Sequence, residues 1–94
     1  MEEIYSLHII VSGRVQGVGF RFFTQNIANS LQLTGFVRNL YNGDVEIYAE
    51  GNKDQLEIFL EKVKKGPSLS YVENVQTTWK KIDKKRYNRF NIAF

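Results

Sequence analysis

The 94-residue sequence predicts an α+β fold: an antiparallel sheet carrying two helices on one face in the split βαβ arrangement, with an extra strand at the C-terminal end. Three observations predict it. Apolar residues alternate with a period of two in several short segments. Two longer segments instead carry apolar residues three and four apart. In sequence these follow one another as strand, helix, strand, strand, helix, strand. No internal repeat or low-complexity linker interrupts them, and a chain of this length holds one modest core, so a single domain over residues 1–94 is expected.

Tyr5, Leu7, Ile9 and Val11 form one buried face of a first strand, and Ile4 and Ile10 on its other face predict an interior position. Gly13-Arg14-Val15-Gln16-Gly17-Val18-Gly19 follows, three glycines in seven residues, and predicts a turn. Phe23, Ile27 and Leu31, with Phe20 and Ala28 beside them, make a helical stripe that Gly35 is placed to stop. Residues 36–41 and 44–50 pair around Asn42-Gly43, a two-residue hairpin signal in which both turn positions take positive φ. Val45, Ile47 and Ala49 face the core; Asp44, Glu46 and Tyr48 face water. Asn52 caps the second helix, with Gln55 placed to complete a capping box. Asp54 in its first turn and Lys62, Lys64 and Lys65 in its last suit the helix dipole. Leu56, Phe59, Leu60 and Val63 are its apolar stripe, and Gly66-Pro67 ends it. A strand over residues 71–79, with Trp79 packed, a solvated basic loop over 80–88, and a last strand with Phe90, Ile92 and Phe94 alternating complete the chain.

The formal net charge of +3 is too small for a dedicated nucleic-acid binder. Its distribution is more informative. Residues 4–43 contain no Asp or Glu but carry Arg14, Arg21 and Arg38, which should raise a local positive potential and favour an anion. With no cysteine there is no thiolate nucleophile or zinc ligand, and the composition suits a reducing compartment. His8, the single histidine, alternates into the first strand as a structural residue, which leaves no Ser-His-Asp arrangement. No acidic cluster suits magnesium or calcium, so no metal and no cofactor is expected. Met1-Glu2-Glu3 lacks the basic start and apolar run of a signal peptide, and no stretch is long enough to span a bilayer. A cytoplasmic monomer without membrane or nucleic-acid partners is expected.

The glycine-rich turn leads from a strand into a helix. Glycine lets successive backbone N–H groups converge, and the first N–H groups of a helix lack internal partners and carry partial positive charge. Such a place suits phosphate. Arg21 stands in the first helical turn, where a cation is disfavoured by roughly 0.3–1 kcal/mol unless an anion is bound. The run lacks the Gly-Lys-Ser/Thr ending of a P-loop and the glycine spacing of a dinucleotide fold. Physical reasoning alone therefore reaches a small anion site, with Asn39 more readily a lead into the hairpin than a functional residue.

The run Gly13-Arg14-Val15-Gln16-Gly17-Val18-Gly19-Phe20-Arg21 closely resembles the signature of the acylphosphatase family, and Gly35-Phe36-Val37-Arg38-Asn39 resembles its second signature. The resemblance continues through Gly43-Asp44-Val45 and Ala49-Glu50-Gly51 and thins after Gly66. It implies a ferredoxin-like sandwich and metal-free hydrolysis of acyl phosphates. It also implies that Arg21 binds the phosphate together with the N–H groups of Val15, Gln16, Gly17, Val18, Gly19 and Phe20, and that Asn39 positions the attacking water. Inorganic phosphate or sulfate can occupy such a site. Two rivals share the element order: an RNA-binding module, which needs stacked aromatics on its open sheet face, and a phosphate-binding domain without turnover.

Overall fold

The computed structural model describes residues 3–94. Met1 and Glu2, on which the reading of a leaderless N-terminus partly rests, lie outside the described residues. The elements are β1 (Ile4–Arg14), α1 (Phe20–Ser30), β2 (Thr34–Asn39), β3 (Val45–Gly51), α2 (Lys53–Lys65), β4 (Tyr71–Ile82) and β5 (Phe90–Ile92). They build one five-stranded sheet in the order β4-β1-β3-β2-β5. β3 is antiparallel to both β1 and β2, so β1 and β2 run parallel on either side of it, which is the split βαβ arrangement. β5, however, pairs with β2 in parallel. The sheet is therefore mixed, where the sequence pattern predicts a purely antiparallel one. The direction of β5 follows from residues 83–89, which carry the chain from one sheet edge to the other, a long-range path that no local pattern encodes.

The core lies between the sheet and the helices. Leu7, Ile9 and Val11 of β1, Val37 of β2, Val45, Ile47 and Ala49 of β3, and Leu56, Phe59 and Val63 of α2 are all fully buried, as the alternation and the stripe predict. Phe90 of β5 meets Phe59 edge-on at 6.1 Å. Trp79 packs against this cluster from β4.

Several local expectations are corrected. β1 continues through Gly13 and Arg14, which pair with Val72 and Tyr71 after a bulge at Ser12/Gly13, so the turn proper is shorter than the glycine-rich run. The buried line of α1 is Phe20, Thr24 and Ala28, one residue out of phase with Phe23, Ile27 and Leu31. Thr24 can be buried because its hydroxyl donates to Phe20 O at 2.8 Å. α1 is ended by Gln32, not Gly35. Gln32 takes φ 59, Leu33 N–H reaches back to Ala28 O at 2.9 Å, and Gln32 N–H to Asn29 O at 3.1 Å, a Schellman closure. Gly35 lies inside β2, where a Cβ would come within 1.8 Å of Tyr48 O. The β2–β3 connection is a three-residue loop. Gly43 N–H donates to Leu40 O at 3.2 Å and Leu40 N–H to Asp44 O at 2.8 Å, and only Gly43, not Asn42, has positive φ. Asn42 Oδ1 instead accepts from Asp44 N–H at 3.0 Å.

Asn52 does cap α2, accepting from Gln55 N–H at 2.9 Å. The reciprocal half of the capping box is not formed, since Gln55 Oε1 is buried without a partner among the described residues. β4 runs on through Lys80, Lys81 and Ile82, so part of the expected loop is strand. β5 stops at Ile92, leaving Phe94 outside the sheet and fully exposed. The face away from the helices is also less wet than predicted. Glu50 is fully buried there, and Phe36, Tyr48 and Tyr87 pack with ring centroids 5.6–5.9 Å apart.

Candidate functional site

The turn after β1 and the end of β2 come together because β1 and β2 run parallel, with β3 between them. Val15, Gly17, Gly19, Phe20, Arg21, Phe22 and Asn39, joined by Ile92 and Phe94, line a hollow of about 260 Å³. Residues from both predicted signatures therefore share one wall.

Gly19 is the N-cap of α1, with φ 77 and ψ 17, a conformation strained for any residue with a side chain. Gly17 has φ 75, and a Cβ on either residue would meet no heavy atom within 4 Å, because both glycines border open space. No side chain caps α1 and no acid stands in its first turn. Among the described residues no N–H from residues 16–22 has a hydrogen-bond acceptor, and the first bond of the helix is Phe23 N–H to Gly19 O at 3.0 Å. The row of free donors at a positive helix end is what an anion requires.

Arg21 adds a full charge. Its guanidinium stands 5.3 Å from the centroid of the Phe94 ring, and none of the ion pairs among the described residues involves it. Arg38 differs: its Nε donates to Glu46 Oε1 at 2.6 Å, and its guanidinium lies 6.0 Å from the Phe36 ring. His8 Nε2 meets the other oxygen of Glu46 at 2.7 Å. Burial acts to raise the Glu46 pKa, but the hydrogen bonds and charges of His8 and Arg38 outweigh it and hold the carboxyl below its ordinary range. His8 thus belongs to a sheet-face cluster and does not line the hollow. Arg14 is exposed at the end of β1.

Asn39 closes β2. Its Oδ1 is buried and has no hydrogen-bond partner among the described residues. An orphaned buried acceptor costs about 1–3 kcal/mol. Asn39 as a residue lines the hollow, which puts its side-chain amide at the wall beside the glycine turn and Arg21.

Two contributors escape the sequence reading. Gln16 enters that reading only through its backbone, yet its side-chain Nε2 donates to Leu40 O at 2.8 Å and Asp44 O at 2.9 Å. It ties the turn to the chain just after Asn39, across 24 and 28 residues, a separation that no spacing rule detects. Phe94 reads as a strand residue but stands beside Arg21; its only sequence signal is a terminal aromatic. Among the described residues no group of three His, Cys, Asp or Glu side chains could hold a metal ion, and no helix is long and apolar enough to cross a membrane.

The acylphosphatase family model matches residues 7–92. An acylphosphatase from Archaeoglobus fulgidus is 46% identical over 89 residues, spanning 95% of this chain and 98% of that protein. One from Syntrophotalea carbinolica is 50% identical over 84 residues, spanning 89% and 90%. The crystal structure of the Bacillus subtilis acylphosphatase superposes with a TM-score of 0.91 at 42% identity, covering 96% of this chain and 99% of the other.

Proposed function

Since the chain belongs to the acylphosphatase family, with its ferredoxin-like α+β fold, it hydrolyses acyl phosphates, and we propose that it does so in the hollow between the glycine turn, Arg21 and Asn39. Arg21 and the N–H groups of Val15, Gln16, Gly17, Val18, Gly19 and Phe20 bind the phosphoryl oxygens. The side-chain amide of Asn39 holds the attacking water in line with phosphorus, through its carbonyl oxygen or its N–H₂ group. The observation that carries this reading is the single hollow in which Asn39 meets the unbonded N–H groups at the start of α1 and Arg21, which none of the ion pairs among the described residues involves.

The substrate needs little more. Its leaving group is a carboxylate whose acid has a pKa near 4, so the P–O bond breaks without a general acid. Phosphoryl transfer passes through a loose transition state with charge on the equatorial oxygens. Catalysis is then positioning and charge stabilisation. Arginine suits the task through its planar fork of donors, and the amide row is fixed before substrate arrives.

The match over residues 7–92 supports a single acylphosphatase-like domain. Absence of cysteine supports a cytoplasmic setting, and the charged outer faces of α2 support a monomer. Binding is tested by titrating inorganic phosphate while recording amide ¹⁵N–¹H spectra. The reading expects the largest shifts at residues 16–20 and their loss in Arg21→Ala. Shifts scattered over the basic surface, or retained in the variant, would refute the assignment.

A further inference from the structure

The proposed anion site uses the turn after β1 and the end of β2, and it leaves the sheet face opposite the helices without a task. Strand register places Thr78, His8, Tyr48, Phe36 and Asn91 side by side in one row across all five strands. Their sequence neighbours Leu7, Ile9, Val37 and Ile47 are buried in the core, so the row points away from it. Three members carry rings, on the adjacent strands β1, β3 and β2. Tyr87 of the crossing segment adds a fourth, its ring centroid 5.6 Å from that of Tyr48 and 5.8 Å from that of Phe36. The rings stay partly open: the His8 side chain is 39% exposed, Tyr87 is 38% exposed, and Phe36 and Tyr48 are half-buried.

Positive charge borders this row. Residues 80–89 carry six of the chain's 13 lysines and arginines against the single acid Asp83, so the small net charge averages over an uneven surface. Lys80 lies on the face of the rings, since it and Glu50 are both register partners of Ser6. Arg86 crosses beside Tyr48: its backbone N–H donates to Glu50 Oε2 at 2.8 Å, the same oxygen that accepts from the Tyr48 hydroxyl. Neither Lys80 nor Arg86 takes part in an ion pair among the described residues. The acids of β3 on this face are both engaged. Glu50 is fully buried among its hydrogen-bond donors, and Glu46 is paired with His8 and Arg38. The pairing uses a nitrogen at the edge of the imidazole and not the face of its ring.

We infer that this face is a second binding site, for single-stranded nucleic acid, with bases stacked on His8, Tyr48 and Tyr87 and phosphates held by Lys80 and Arg86. Rings on adjacent interior strands of an open sheet are what an RNA-binding sheet uses to take two or three bases. Every base has a π-face, so such stacking tolerates sequence. A duplex keeps its bases inside and presents none to the rings, so the face favours a single strand. An acidic peptide would satisfy the cations and leave the rings without planar partners. The site stands apart from the hollow that holds Arg21 and Asn39 and does not depend on the hydrolysis proposed there.

The test is fluorescence anisotropy with a labelled oligouridine of about ten nucleotides, an oligothymidine and an RNA duplex of the same length, and polyphosphate and polyglutamate as competitors. The wild type is expected to bind both single strands about fivefold or more tighter than the duplex. Its log affinity should fall with log salt at a slope of about −1.4 or steeper, as two neutralised phosphates require. Lys80→Gln/Arg86→Gln should flatten that slope by about one or more. His8→Ala and Tyr87→Leu should each weaken single-strand binding about fivefold or more and leave the slope unchanged. Far-ultraviolet circular dichroism should match the wild type in all three variants. Absence of single-strand binding, or binding that both folded ring variants retain at full strength, would overturn the inference. So would polyphosphate or polyglutamate displacing the strand as well as unlabelled oligouridine does, which would leave a basic surface open to any polyanion.

Discussion

Glu50→Gln should be among the most destabilising single-atom changes available to this protein. Glu50 is fully buried on the sheet face opposite the helices. Its Oε1 accepts from Thr34 Oγ1 at 2.9 Å and Tyr87 N–H at 3.1 Å; its Oε2 accepts from Tyr48 OH at 3.1 Å and Arg86 N–H at 2.8 Å. Two of these donors belong to the segment that crosses from β4 to β5, so the carboxylate clamps that segment to the middle strand. Glutamine keeps the shape but turns one acceptor oxygen into a donor, leaving two of the four donors facing an N–H₂ group. At about 1.5 kcal/mol for each bond to a charged acceptor, the loss is about 3 kcal/mol. For a domain of this size that lowers Tm by about 12–24 °C. Urea unfolding should show a lower midpoint with an unchanged slope, because the native fold survives. Thr34→Val, which removes one donor, should cost about 1 kcal/mol. A loss below about 1 kcal/mol in Glu50→Gln would refute the clamp.

Other expectations can be checked with the same tools. Gln16→Ala removes both bonds that tie the glycine turn to the β2–β3 loop; kcat/KM should fall about tenfold or more, with about 1–2 kcal/mol of stability lost in urea titration. Glu46, with its pKa held down, stabilises the fold above the ordinary carboxylate value of 4.5 and ceases to do so as pH falls through its lowered value. The deficit of Glu46→Gln against wild type should therefore be full near pH 6 and vanish in acid, as followed by unfolding at a series of pH values. Asn52→Ala loses the α2 cap and should cost about 1 kcal/mol with kcat/KM unaltered.

The elements that were legible in the sequence are those whose determinants are local. The cap at Asn52, the stripe from Leu56 to Val63 and the stop at Gly66 all act within one helix, and the structure has them where the pattern puts them. The core-facing alternation of β1 and β3 is equally local. Where distant residues decide, the pattern fails. Thr24 reads as polar until its hydroxyl is seen bonded within the helix, and Tyr48 reads as a wet-face residue until Phe36 and, from the crossing segment, Tyr87 pack against it. The parallel pairing of β5 depends on that same crossing. For the site, the glycine turn and Arg21 followed from donor chemistry. Asn39 took a family resemblance, because its isolation as a buried acceptor is created by strand packing. The side chains of Gln16 and Phe94 meet their partners only in three dimensions.

The central claim, that Arg21 and Asn39 with the glycine turn perform the hydrolysis, is tested most directly by turnover of benzoyl phosphate in the presence of EDTA, with a simple phosphate monoester as control. The wild type should cleave the acyl phosphate despite the chelator and leave the monoester intact. Folded Arg21→Ala and Asn39→Ala proteins should each lose about 10²–10³ in kcat, the cost of removing one donor or positioning group from a preorganised site. Near-wild-type turnover in either folded variant would contradict the account.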